Sequence, residues 1–149
     1  MSRILELLKT YLKVEMSQET LNEIASFSEL KTFSADEIIY REHKDSRVLC
    51  LVISGQVDVQ YLLKSGRRKT LDSCNVGDIL LWSAVVEPHE TNSIGICRTK
   101  TELLEIDGKK LLAICEKDTR FGYHMMSLIA AVLRRRNQAT RMQLSFYDR

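Results

Sequence analysis

Residues 48–59 read VLCLVISGQVDV, and their pattern decides the fold class. The segments 47–53 and 56–63 are short and rich in β-branched and aromatic residues, and Val57, Val59, Tyr61 and Leu63 alternate with polar neighbours before Leu62. Both are strands. Gly55 lies between them, where a tight hairpin demands a positive φ, and KSGRRK (64–69) supplies the next turn around Gly66. Working outward, EIIYR (37–41) is a further strand, as are 69–73, 78–81, 92–98 and 101–106. Short strands in series without helices between them predict an antiparallel sandwich or barrel rather than a parallel α/β sheet.

Helices flank this run. Ile4, Leu5, Leu7, Leu8, Tyr11 and Leu12 line one side of a helix over 3–15, and Ser17 is placed to cap a second helix that carries Leu21, Ile24 and Ala25. Asp107 caps a short helix, 108–116, and Asp118 or Thr119 begins a long one that runs to about Leu144. No repeat or Pro-rich linker divides the chain. One domain over 1–149 is expected, mainly β with flanking helices: strands about 30–106 and C-terminal helices about 108–145.

At 149 residues the chain is long enough to bury about two-thirds of its unfolded surface. Hydrophobic residues at 44% and charged residues at 28% exclude a disordered chain. Apolar runs extend only a few residues, so no membrane span is expected, and Glu6 within the first apolar stretch argues against a secretory signal. A cytoplasmic location follows as an expectation. Cys50, Cys74, Cys97 and Cys115, spaced 24, 23 and 18 residues apart without a CxxC, read as buried free thiols rather than a metal or redox site. A net charge of +2 makes no strong electrostatic case for nucleic acid. Residues 119–149 nevertheless hold six arginines against one acid, Asp148.

The long helix carries a second pattern. Phe121, Met125, Leu128, Val132, Arg135, Ala139 and Met142 follow a 4-3-4-3 spacing, and Met126, Ile129 and Leu133 widen the apolar face, so that one face can pack on the barrel and the other on a second copy of the helix. A homodimer is expected from it; the alternative is a helix that covers its own core.

The order of elements resembles that of the cyclic nucleotide-binding domain family, the sensory module of the catabolite activator protein and of protein kinase A regulatory subunits. Its carriers are FSADEIIYRE (33–42), VLCLVISGQVDV (48–59), Gly77-Asp78 and TELLEIDG (101–108). The resemblance covers roughly 16–140 and implies an eight-stranded antiparallel jelly-roll barrel. It also implies a phosphate-binding cassette of the form GDxxGExALL followed by R-A-A/S/T, in which a glutamate holds the ribose and an arginine the cyclic phosphate. Here the cassette reads GDILLWSAVV. Gly77, Asp78, Ala84 and Val85 fit, whereas Leu81 stands at the glycine position and Trp82 at the glutamate position. No Lys or Arg occurs from Thr70 to Cys97, and Asp72, Asp78, Glu87 and Glu90 are acidic. That local field opposes a phosphate. Losing an arginine–phosphate pair costs about 2–5 kcal/mol, so cyclic AMP or cyclic GMP should bind weakly.

The expected ligand site is therefore Gly77, Asp78, Leu80, Leu81, Trp82, Ser83, Ala84, Thr91, Asn92 and Ser93. In one reading Trp82 stacks on a nucleotide-like or less anionic small molecule and the neutral side chains hydrogen-bond to it. In the other, Leu81 and Trp82 fill the vacated site and the domain is an interaction scaffold.

No metal, cofactor or catalytic residue is expected. His43, His89 and His124 have no HxH or carboxylate partner at ligand spacing, and Ser83 lacks a GxSxG setting and a base. Arg134, Arg135 and Arg136 are consecutive on a helix and span about 200° of its circumference, so they cannot all face one partner; a solvated face is the default, and one of them could reach a ligand. The chain reaches only Arg149, so a following helix-turn-helix reader of DNA is not expected, and a basic-helix nucleic-acid binder is the weakest alternative. The favoured function is a regulatory module, sensing a small molecule or acting on an unidentified protein partner.

Overall fold

The computed structural model describes residues 2–146; Asp148 and Arg149, counted above in the basic balance, lie outside them. Two helices open the chain, α1 (Ser2–Tyr11) and α2 (Gln18–Ser26), and Ser17 caps α2 by accepting from the Thr20 N–H at 3.1 Å. The strands follow: β1 (Ser28–Phe33), β2 (Ile38–Tyr40), β3 (Val48–Ser54), β4 (Val57–Leu62), β5 (Arg68–Cys74), β6 (Ile79–Leu80), β7 (Ile94–Cys97) and β8 (Thr101–Asp107). One 3-10 turn (Trp82–Val85) lies between β6 and β7, and α3 (Gly108–Lys117) and α4 (Thr119–Ser145) complete the order.

The expected antiparallel jelly roll is present, as two four-stranded sheets ordered β1-β8-β3-β6 and β2-β7-β4-β5. The sheets are not hydrogen-bonded edge to edge into a closed barrel. They meet through Cys50, Val52, Val57, Val59, Cys97 and Leu103. On the outer face of the first sheet Leu49, Leu51, Ile53, Leu104 and Ile106 pack against the helices. β3 is thus the middle layer, and a strand covered on both faces needs the unbroken apolar run VLCLVI. β4 is covered by apolar residues on one face only, which is why Val57 and Val59 alternate with Asp58 and Gln60. Gly55 turns the hairpin with φ +86°.

Most strand ends shift by a residue or two, and two elements depart further from the sequence expectation. α1 stops at Tyr11 rather than continuing to residue 15. β1 was not expected, because SELKTF has little β-branched character; it is a strand because it pairs with β8 over its whole length, from Ser28 opposite Ile106 to Phe33 opposite Thr101.

The packing of α4 bears on the expected seam. Phe121, Met125 and Ile129 are buried in the helical core, and Leu128 and Val132 pack against the same cluster. Each fully buried side chain of this kind contributes about 1.5–3 kcal/mol relative to exposure. The first part of the seam, Phe121 and Met125, is therefore committed within the chain, whereas Leu128 and Val132 are only half-buried, and Arg135, its one polar member, reaches β5. Farther along, Ala139 is half-buried and Met142 is exposed. Cys50, Cys74 and Cys97 are buried and Cys115 half-buried, all as free thiols. Among the described residues no helix is long and apolar enough to cross a membrane.

Candidate functional site

The site begins where β6 leaves the sheet. Leu81 takes a left-handed conformation, φ 60° and ψ 42°, to swing the chain from the strand into the Trp82–Val85 turn. A non-glycine residue there costs about 1–2 kcal/mol, which accounts physically for a glycine at this place in the resembling pattern. The turn presents Leu81, Trp82 and Ser83 to a recess whose opposite wall is Thr91, Asn92 and Ser93, just before β7. Tyr40, at the end of β2, and Arg136, from α4, complete the lining. The cavity left between them is about 10 Å³, room for roughly one water and not for a nucleotide.

Six of the ten expected ligand residues line this recess and four do not. Gly77 is a turn residue with φ +91° whose N–H donates to the Val52 carbonyl at 2.8 Å. Asp78 accepts from the Asn75 N–H at 2.8 Å and faces Arg135. Leu80 is 1% exposed inside the sandwich, and Ala84 is buried against the start of α3.

The hydroxyls on the wall already have partners. Ser83 Oγ donates to Ser46 Oγ at 2.7 Å, and Thr91 Oγ1 donates to the Arg41 carbonyl at 2.5 Å while accepting from the Lys44 N–H at 2.9 Å. Ser93 Oγ lies 3.4 Å from Tyr40 Oη. Trp82 is half-buried and packs on the helical core, so its ring is a wall rather than an open platform. Gly95 makes room for Tyr40: a Cβ there would run into the tyrosine ring. Burial pushes the Tyr40 hydroxyl up to about 12, against the opposing effects of Ser93 and Arg136.

The charge balance differs most from the sequence expectation. The acidic field of Asp72 and Asp78 is neutralised by α4. Arg135 Nη1 lies 3.0 Å from Asp78 Oδ1 and its Nη2 lies 3.6 Å from Asp72 Oδ1, while Nη2 also donates to the Ser73 carbonyl at 3.1 Å. Burial opposes the Arg135 charge, but the hydrogen bond and charge of Asp78, with Asp72 behind, outweigh it and hold the guanidinium above its ordinary pKa. Arg136 is more enclosed, 14% exposed, with Nε 3.7 Å from Asp72 Oδ2 and Nη2 3.9 Å from Cys74 Sγ. Its Nε has no hydrogen-bond partner among the described residues. The recess expected to be uncharged thus contains a guanidinium brought from 50 residues beyond Val86, the end of the cassette. Glu87 and Glu90 are exposed, and Glu90 Oε1 lies 3.2 Å from His43 Nδ1.

Tyr40 is not marked in the sequence, and Asp72 and Arg136 are visible there but not joined, because each belongs to a different element and only the packing of α4 on β5 brings them together. The available signal was the arginine triplet together with a lysine- and arginine-free stretch rich in acids. His89 Nδ1 is 3.1 Å from the Ser83 carbonyl, turned onto the cassette backbone. Among the described residues no three His, Cys, Asp or Glu side chains cluster as metal ligands do.

The cyclic nucleotide-binding domain family matches residues 30–118, more than half of the chain. A putative cyclic nucleotide-binding protein from Geobacter metallireducens GS-15 is similar with a TM-score of 0.77 and 26% identity, covering 88% of this chain and 96% of that one. A cyclic nucleotide-binding domain from Methylobacillus flagellatus KT gives 0.79 at 15% identity, over 99% and 84%. The regulatory domain of Toxoplasma gondii PKA, solved with cAMP, gives 0.67 at 19% identity, over 76% and 43%. At those two identities the likeness is one of fold alone. No curated protein matches the chain.

Proposed function

Because the chain belongs to the cyclic nucleotide-binding domain family, we propose that it is a regulatory module whose cassette recess is plugged by its own long helix. The observation that carries this reading is the recess itself, closed to about 10 Å³ with Arg136 in its wall. A signal, either a nucleotide-like or less anionic small molecule or a partner protein, acts by shifting the population between a seated and a released α4. Seating is stabilised by the contacts of Arg135 and Arg136 with Asp72 and Asp78. At surface-pair strengths these amount to about 2 kcal/mol, so a ligand that must displace them loses about 30-fold in affinity.

Calorimetric titration of cyclic AMP and cyclic GMP tests this. The expected result is affinity weaker than micromolar for the native chain and a severalfold gain in Arg136→Ala, where the side chain that closes the recess is removed. Sub-micromolar binding by the native chain overturns the proposal. Absence of binding by both forms favours the second reading, an interaction scaffold, which draws support from the internally satisfied hydroxyls of Ser83 and Thr91. Homodimer assembly belongs to the proposal through a different face from the one expected. Tyr123, 70% exposed, with Met126 and Ala130 borders an apolar groove of about 550 Å³ between α3 and α4. Sedimentation of the native chain against Ala130→Glu tests it: a dimer lost in the variant supports this face, and a native monomer removes it.

A further inference from the structure

A second cavity lies on the other side of the cassette turn, between the loop before β3 and the start of α3. It measures about 500 Å³, against about 10 Å³ for the recess. That is within the range of small-molecule sites, about 300–1,000 Å³. Ala84 and Leu112 form apolar wall, and Ser46, Arg47, His89 and Lys109 contribute polar groups.

We infer that this cleft is a ligand site separate from the cassette recess, and that it takes a small organic anion, a carboxylate or phosphate monoester with an apolar body. Two cations face it against one acid, Asp107. Arg47 is held only loosely by Asp45, at 3.4 Å with both side chains over 80% exposed, a pairing too solvated to compete with a ligand oxyanion. Lys109 has no ion-pair partner among the described residues. Asp107 already uses Oδ1 to accept from the Lys110 N–H at 3.0 Å, so α3 is capped by its own residue and the anchor is the side-chain cations, not the helix end. Ser46, 6% exposed, accepts the Ser83 proton at 2.7 Å, which leaves its own proton to donate into the cleft. Arginine and lysine around a buried hydroxyl recognise an oxyanion, and Ala84 with Leu112 receives the apolar body.

The same serine pair joins the two cavities, since Ser46 lines the cleft and Ser83 lines the recess beside Trp82. The turn and α3 are also in backbone contact, because a Cβ on Gly108 would lie 2.7 Å from the Ala84 carbonyl oxygen. An occupant of the cleft therefore changes the surroundings of the sole tryptophan without entering the recess. This inference does not require that α4 act as a plug.

The test uses the full chain and phenyl phosphate and benzoate as probes, with benzyl alcohol as the uncharged control. Expected are saturable amide shifts in ¹H–¹⁵N spectra at Ser46, Arg47, Lys109 and Leu112, a change in Trp82 emission, and at least tenfold weaker binding of benzyl alcohol. Arg47→Glu with Lys109→Glu, both at exposed positions, should weaken phenyl phosphate about tenfold or more. If that pair disturbs the unligated spectrum, Arg47→Gln with Lys109→Gln serves in its place. Unsaturable shifts, equal binding of benzyl alcohol, or full affinity in the double variant overturns the inference. So do shifts centred on Tyr40, Asn92 and Ser93, which would place the probe in the recess and bear on the plug instead.

Discussion

Three consecutive arginines on α4 offer a sharp test of how that helix is held, because their surroundings differ although their chemistry does not. Arg135→Ala removes an ion pair at 3.0 Å to Asp78, a longer one at 3.6 Å to Asp72, and a hydrogen bond at 3.1 Å to the Ser73 carbonyl. The side chain is 50% exposed, so each ion pair is screened and contributes about 0.2–1 kcal/mol. The hydrogen bond adds about 1 kcal/mol. The expected loss is about 2 kcal/mol, or a fall in Tm of about 4–8 °C for a chain of this size. In 1 M salt, where the screening length is about 3 Å, the ionic part shrinks and about half of the loss should remain. Arg134→Ala, at an exposed position, should be close to neutral. A cycle combining Arg135→Ala with Asp78→Asn should return a coupling of about 0.5–1 kcal/mol by urea denaturation. If Arg134→Ala and Arg135→Ala agree within about 0.3 kcal/mol, or the cycle shows no coupling, α4 is not latched to β5 and the plugged recess loses its support.

Gly95→Ala should destabilise the chain by about 1–3 kcal/mol in urea, because the new methyl group displaces the Tyr40 ring; a neutral result would mean that the ring is not seated there. Alkaline pH should unfold the protein in a defined window. Burial raises Tyr40 from 10.0 to about 12 and Cys74 from 9.0 to about 11, so the folded chain keeps protons that the unfolded chain has lost. Stability is complete below about pH 9 and falls as pH rises toward 12, and Tyr40→Phe should flatten the part above pH 10 by about 2 kcal/mol in thermal melts across that range. Thiol titration of the native chain should find Cys115 the first to react, with Cys50, Cys74 and Cys97 protected until unfolding. Equal rates at all four would contradict the packing of the sandwich.

The strands were legible where their own residues carry the signal. Val57 and Val59 alternate because one face of β4 meets the sandwich interior, and Ser17, Asp107 and Asp118 announce helix starts because capping is a local bond to an N–H three residues on. β1 was not legible, since SELKTF becomes a strand only through its ladder with β8. The site was half legible. Leu81, Trp82, Ser83, Thr91, Asn92 and Ser93 were found from the cassette, but Thr91 and Ser83 read as free hydroxyls until the partners Arg41 and Ser46 came into view.

What the amino-acid order determined by itself was periodicity, caps, turns and a stretch from Thr70 to Cys97 without lysine or arginine, all features that depend on neighbours a few residues apart. What only the tertiary structure decided was which face of α4 turns inward and where its arginines go. A 4-3-4-3 seam is equally apolar toward a second helix or toward the chain's own sheet. The choice is made by the area the sandwich leaves uncovered. Once Phe121, Met125 and Ile129 fill that area, the helix geometry carries Arg135 and Arg136 onto Asp72, Asp78 and the recess.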